Sequence, residues 1–156
     1  MSRRAGLLAA IVTIGCGASF QRIPEPPGGA LAVPPETALS FYQNVDAFYG
    51  RLILRRFNTL ETFNDPVLRQ HFRSIDLFFD YYADLAQQLA DSYFEKTRPR
   101  VVQVQEFVFE DAHRVRVQIR FVGDDRRPLR IGSTSLIRLD RWERADGAWW
   151  LTPGKL

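Results

Sequence analysis

The spacing of apolar residues changes at Pro99, and this change constrains the fold more than any other feature of the sequence. Before Pro99, apolar residues recur every three or four positions, which predicts a helix over 37–57 and a long helix that Ser74 caps. After Pro99, apolar and polar residues alternate, which predicts antiparallel strands with one buried face. We therefore expect an α+β domain with N-terminal helices packed on a curved, four-stranded antiparallel sheet.

The alternating half of the chain divides at residues that favour turns. The predicted strands cover 101–110, 115–121, 128–144 and 149–152. Gly123-Asp124-Asp125 predicts one turn, and Asp146-Gly147 predicts a tight hairpin. In the first strand, alternation places Phe107 and Phe109 on one face and Val102, Val104 and Val108 on the other.

The first fifteen residues have the three parts of a bacterial secretory signal. Arg3 and Arg4 form a cationic start, 6–14 are uncharged and mostly apolar, and Gly15 is small. This apolar run is about half the roughly 20 residues that a membrane-spanning helix needs. Residues 1–15 are therefore predicted to be a signal peptide.

Cys16, which follows directly, is the chain's only cysteine and cannot form an intrachain disulfide. The stretch 12–16, VTIGC, resembles the lipobox of bacterial lipoproteins. The resemblance implies cleavage before Cys16, a diacylglyceryl group on its thiol and an acyl chain on the new amine. It also implies a periplasm-facing protein, with the outer membrane favoured because Gly17 replaces a retention aspartate. Simple secretion with an incidental cysteine is the alternative.

Residues 16–36 are predicted to be a tether between this lipid anchor and a folded domain over 37–156. Five prolines and two adjacent glycines exclude a continuous helix or a packed strand from this segment: Pro24, Pro26, Pro27, Pro34, Pro35, Gly28 and Gly29. An extended chain of this length reaches on the order of 50 Å.

Charge and motif content exclude several classes of function. The net charge is +3, but the removal of Arg3 and Arg4 with the leader would leave +1. A near-neutral chain lacks the global positive charge typical of nucleic-acid binding. His71 and His113 are the only histidines, and no Cys/His spacing resembles a zinc site. With no phosphate-binding loop, dinucleotide motif or nucleophile elbow, we expect no metal and no cofactor.

The layout of residues 37–156 is similar to that of the NTF2-like superfamily, a cystatin-like cone. The similarity is carried by the first helix beginning ALSFYQNVDAFYG, the helix-to-sheet order and the terminal strand pair RLDRWERADGAWWL. It implies a sheet curved around a long helix, enclosing an apolar cavity. Enzymatic members such as ketosteroid isomerase and the dehydratases place an aspartate, histidine or tyrosine in that cavity.

Asp46 is the best candidate for such a group, because it shares a helical stripe with Tyr42, Tyr49 and Ile53. A carboxylate in a dry cavity can act as a general base, here with Tyr42 or His71 as its partner. For Asp46 the alternatives are a carboxylate at the edge of the core and one hydrogen-bonded to a tyrosine. For His71 the alternative is a surface or loop-packing histidine. We expect a lipid-anchored envelope protein whose domain is a non-catalytic binding or accessory module for a protein or an apolar small molecule. The alternative is an isomerase or dehydratase.

Overall fold

The computed structural model describes residues 33–154, in which four helices precede a four-stranded antiparallel sheet. The helices are α1 (Pro35–Leu54), α2 (Leu60–Phe63), α3 (Pro66–Arg69) and α4 (Ile75–Asp91). The strands are β1 (Val101–Phe109), β2 (Arg114–Asp124), β3 (Ser133–Ala145) and β4 (Ala148–Thr152), in that order across the sheet. The predicted α+β class is confirmed. The predicted signal peptide, Cys16 and most of the predicted tether lie outside the described residues.

Helix α1 begins two residues earlier than predicted, inside the segment assigned to the tether. Pro35 occupies its first position, where a proline fits because the first backbone N–H groups have no partner within the helix. Thr37, the expected cap, is instead buried in the first turn. The cap of α4 is as predicted, because the Ser74 Oγ accepts a hydrogen bond from the Leu77 N–H at 3.3 Å. No helix within 33–154 has the length and apolar character to cross a membrane.

Aromatic side chains fill the space between the helices and the sheet. Phe41 of α1 packs edge-on against Phe107 and Phe109 of β1, with ring centroids 5.7 and 5.6 Å apart, and against Trp149 of β4 at 4.7 Å. Two helical turns further along α1, Phe48 contacts the rings of Phe72, Tyr81 and Trp142. Such edge-to-face pairs add stability beyond the burial of their area.

The alternation predicted for β2 is confirmed. Its buried side chains are Val115, Val117, Ile119 and Phe121, and its exposed ones include Arg114, Arg116 and Arg120. One face of the sheet therefore lies against the helices, while the other carries a row of arginines.

The two-faced prediction for β1 was wrong because a β-bulge interrupts the strand. Pairing with β2 runs in register to Val104 and resumes at Glu106, which leaves Gln105 as an extra residue. An extra residue reverses the alternation beyond it. Four apolar side chains consequently pack against the same core: Val102, Val104, Phe107 and Phe109.

The turn predicted at Gly123 was also wrong, since β2 continues through Asp124 and the chain reverses over 126–132. Gly123 is required by packing instead. A Cβ there would lie 2.7 Å from Cδ1 of Phe94 and 2.8 Å from the Arg98 carbonyl oxygen. The Asp146-Gly147 hairpin is confirmed, with φ of 54° and 77° at its two central residues.

Replacing Gly123 by alanine should lower the free energy of unfolding by about 1–3 kcal/mol, because Phe94 and the Arg98 backbone must move to admit a methyl group. The matched control is Gly132→Ala, where a Cβ meets no atom within 4 Å. Urea unfolding measures both variants. Equal stability of the two would contradict the close packing at Gly123.

Candidate functional site

The inner face of β3 carries a buried carboxylate, Asp140, whose side chain is bound by donors from three elements. The Tyr81 hydroxyl of α4 donates to Oδ2 at 2.8 Å, and the Tyr49 hydroxyl of α1 donates to the same oxygen. Arg138 Nε, two residues earlier in β3, donates to Oδ1 at 2.6 Å. Asp140 is only 3% exposed. These contacts join both long helices to the sheet.

Arg138 extends this arrangement to a second carboxylate. Its Nη1 donates to Asp84 Oδ2 at 2.6 Å, and its guanidinium carbon lies 4.6 Å from the Tyr81 ring centroid. Arg138 is 7% exposed, so the guanidinium is almost fully removed from solvent and compensated by two carboxylates and a ring face. We refer to these five residues as the Asp140 cluster: Tyr49, Tyr81, Asp84, Arg138 and Asp140.

Burial and charge hold the two tyrosines and the arginine of the cluster in fixed protonation states. Burial raises the pKa of Tyr49 and Tyr81 well above the ordinary value, and the negative charge of Asp140 raises it further. Burial alone would lower the pKa of Arg138, but its contacts with Tyr81, Asp140 and Asp84 raise that pKa above its ordinary value. Both tyrosines therefore remain hydrogen-bond donors, and Arg138 remains a cation.

These contacts determine what the cluster can do structurally. Two donors bind Oδ2 of Asp140 and one binds Oδ1, which holds the carboxylate in one orientation against both helices. The aromatic layer around Phe48 and Trp142 covers the cluster on the helix side. Its geometry suits a cross-link between α1, α4 and β3.

The structure places Asp46 and Tyr42 on the exposed side of α1, which corrects the expectation that they enter the interior. The buried stripe of this helix follows the spacing of its largest apolar residues: Phe41, Val45, Phe48, Tyr49 and Leu52. Of the predicted stripe, only Tyr49 is fully buried. Asp46 and Tyr42 lie one position away from buried residues, on the solvent side.

His71 is buried at the turn after α3, so the loop-packing interpretation describes its position. Its ring packs against Phe48 and Trp142, with centroids 5.4 and 5.8 Å apart, and its carbonyl accepts a hydrogen bond from the Leu151 N–H at 2.8 Å. The ring Nε2 is buried without a hydrogen-bond partner. Burial lowers the pKa of His71 below its ordinary value, which keeps the ring neutral near pH 7.

One side of His71 lines a surface depression of about 340 Å³. The other lining residues are uncharged: Ser40, Asn44, Gln70, Gly147, Ala148 and Trp149. Neither Asp46 nor Tyr42 lines it, so the three predicted candidates do not form one site. His113, in contrast, is exposed before β2.

Asp140 and Arg138 were not predicted as site residues. The sequence contained a signal, because Arg138, Asp140 and Trp142 are every second residue of one strand and therefore lie on the same face of the sheet. Within 33–154 there is no group of three or more His, Cys, Asp or Glu side chains able to hold a metal ion. No protein-family model, curated protein or solved structure matches the chain.

Replacing Asp140 by asparagine should lower the free energy of unfolding by about 3–5 kcal/mol, because it leaves Arg138 buried with only one carboxylate. Asp46→Asn is the matched control on exposed α1 surface and should change stability by less than about 0.5 kcal/mol. Urea unfolding separates the two. A small effect of Asp140→Asn would show that the cluster is not a cross-link.

His71 should make the domain less stable in mild acid. Because burial lowers the pKa of His71 in the folded domain, the unfolded chain binds the proton more tightly. The stability that the neutral His71 ring contributes is therefore complete above pH 6.5 and is lost as the pH falls below that value. Between pH 7.5 and 5.5 the free energy of unfolding should decrease by at most about 1.4 kcal/mol, the limit for one proton over the one pH unit below 6.5. Thermal unfolding at the two pH values should show a smaller decrease for His71→Gln, whereas the exposed control His113→Gln should behave like wild type.

Proposed function

We propose that this chain is a lipid-anchored protein of the bacterial cell envelope whose NTF2-like domain is a non-catalytic binding or accessory module. One observation carries the non-catalytic part: the interior that would hold a catalytic group contains packed aromatic rings and the Asp140 cluster, whose buried polar groups hydrogen-bond to one another. The element order, a long α1 and then a four-stranded antiparallel sheet against it, supports the NTF2-like layout.

The enzymatic alternative has less support among the described residues. General acid–base catalysis needs a titratable group within reach of a bound substrate, and Asp46 and Tyr42 lie on the exposed face of α1. His71 lines a depression in which no second ionisable side chain is available to share a proton. A role in binding requires no such pair.

The anchoring part of the proposal is supported by four successive features of the sequence. A cationic start and a short apolar run precede the lipobox-like VTIGC, and a proline- and glycine-rich segment follows. Two or more acyl chains anchor a protein stably, whereas a single chain holds it only marginally. An extended tether would let the domain meet its partner at a distance from the headgroups.

Replacing Cys16 by alanine should abolish incorporation of labelled palmitate and move the protein from the membrane fraction to the soluble fraction. The thiol is the attachment point in this proposal, and no other cysteine is present to replace it. Ser19→Ala keeps the thiol and is the matched control, which should label and fractionate like wild type. Absence of palmitate from the wild-type chain would refute the anchor.

A further inference from the structure

The loop between β2 and β3 presents two aliphatic side chains that have no role in the folded core. Leu129 and Ile131 are 103% and 106% exposed, as much as in an extended peptide. They lie on the segment 126–132, which we call the β2–β3 loop. Exposed aliphatic side chains that form a contiguous patch mark a surface that meets another phase or molecule, and these two are two positions apart in one loop.

The backbone of the β2–β3 loop holds Leu129 in a conformation that favours glycine. Arg130 N–H donates to the Arg127 carbonyl at 3.3 Å, which closes a turn with Pro128 and Leu129 at its centre. Leu129 has φ of 63°, and a turn with proline second and a positive φ third normally places glycine there. The turn itself therefore favours glycine at position 129 over leucine.

The base of the loop is fixed to the C-terminal end of α4. Arg126 N–H donates to the Tyr93 carbonyl at 2.9 Å, and its Nη2 donates to the Ala90 carbonyl at 3.0 Å. The Arg127 guanidinium pairs with Asp125 and lies 4.5 Å from the Tyr93 ring centroid. The exposed pair therefore projects from a fastened base as a convex tip.

Basic residues outnumber acidic ones at the base of this loop, although Arg100 pairs with Asp124 and Arg127 with Asp125. Residues 33–154 carry seventeen basic and seventeen acidic side chains, but two segments joined at this end of the sheet are unbalanced. The segments 93–100 and 124–132 meet through the Phe94–Asp125 bridge and the Arg100 N–H to Val122 carbonyl hydrogen bond. Together they contain six basic residues (Lys96, Arg98, Arg100, Arg126, Arg127 and Arg130) and three acidic ones (Glu95, Asp124 and Asp125).

We propose that the β2–β3 loop inserts Leu129 and Ile131 into the surface of an anionic phospholipid bilayer. A convex tip cannot enclose a ligand, but it can enter a fluid interface, where its aliphatic groups reach the acyl boundary and the surrounding cations meet lipid phosphates. The inference rests on the proposed function only in taking a membrane to be close by. It adds a second contact with the bilayer, through the folded domain.

Site-specific fluorescence tests this insertion in the full-length Cys16→Ala chain, which has no other cysteine and no lipid attachment site. A cysteine introduced as Leu129→Cys and labelled with an environment-sensitive dye should show a blue shift with vesicles of phosphatidylcholine and phosphatidylglycerol. The shift should be smaller with pure phosphatidylcholine. Leu60→Cys, on α2 at an exposed apolar position (81%), is the control and should not shift.

Vesicle co-sedimentation of unlabelled variants in the same background gives the second measurement. Leu129→Asp with Ile131→Asp should weaken binding about tenfold or more, whereas Leu54→Asp with Leu60→Asp, at other exposed apolar positions, should not. Leu129→Gly should also weaken binding while keeping or raising the thermal midpoint, because glycine suits the turn. A loss of stability in Leu129→Gly would indicate a purely structural side chain and would overturn the proposal.

Equal dye shifts at positions 129 and 60, or no shift at position 129, would also overturn insertion into the bilayer. That conclusion would hold even if the loop were found to bind an acidic protein instead. These results do not depend on acylation, since every sample lacks Cys16. Failure of palmitate labelling in the wild-type chain would refute the lipid anchor and leave the vesicle result standing. Palmitate labelling of the wild-type chain without a dye shift at position 129 would support the lipid anchor and refute insertion of the β2–β3 loop.

Discussion

Asp140 brings a negative charge into the interior, and the relative placement of α1, α4 and β3 is tied to how that charge is compensated. An unpaired buried carboxylate costs several kcal/mol, and here Tyr49, Tyr81 and Arg138 supply the donors. Each of these hydrogen bonds requires a particular donor–acceptor distance and angle. A shift of either helix along the sheet would therefore break a hydrogen bond to a charge, whereas aromatic contacts alone tolerate small sliding.

The sequence predicted those parts of the fold that depend on local pattern. The alternation in β2, the Ser74 cap and the Asp146-Gly147 hairpin are set by neighbouring residues, and the structure has all three. The β1 bulge at Gln105 and the close contact between Gly123 and Phe94 were not predicted. Both depend on what lies across the sheet or beside it, which periodicity along one strand does not contain.

The candidate site was predicted less well, for a related reason. Asp46 was predicted to be the site residue because its neighbours on the helix include tyrosines. Helix α1 instead buries the face that carries Phe41, Phe48 and Leu52, and Asp46 is exposed to solvent. Arg138 and Asp140 were not predicted to belong to a site. The structure buries them and exposes the apolar Ile137 and Leu139 at the alternate positions, because the hydroxyls that satisfy Asp140 come from helices distant in sequence.

The bulge in β1 has a consequence for the behaviour of many copies of the chain in one compartment. β1 forms an outer edge of the sheet, and its sequence VVQVQEFVF is rich in residues that favour cross-chain pairing. A regular edge of nine residues would offer an uninterrupted row of backbone donors and acceptors to a second chain. Gln105 displaces that row midway and divides it into two short runs, so the edge that completes the core is a poor template for aggregation.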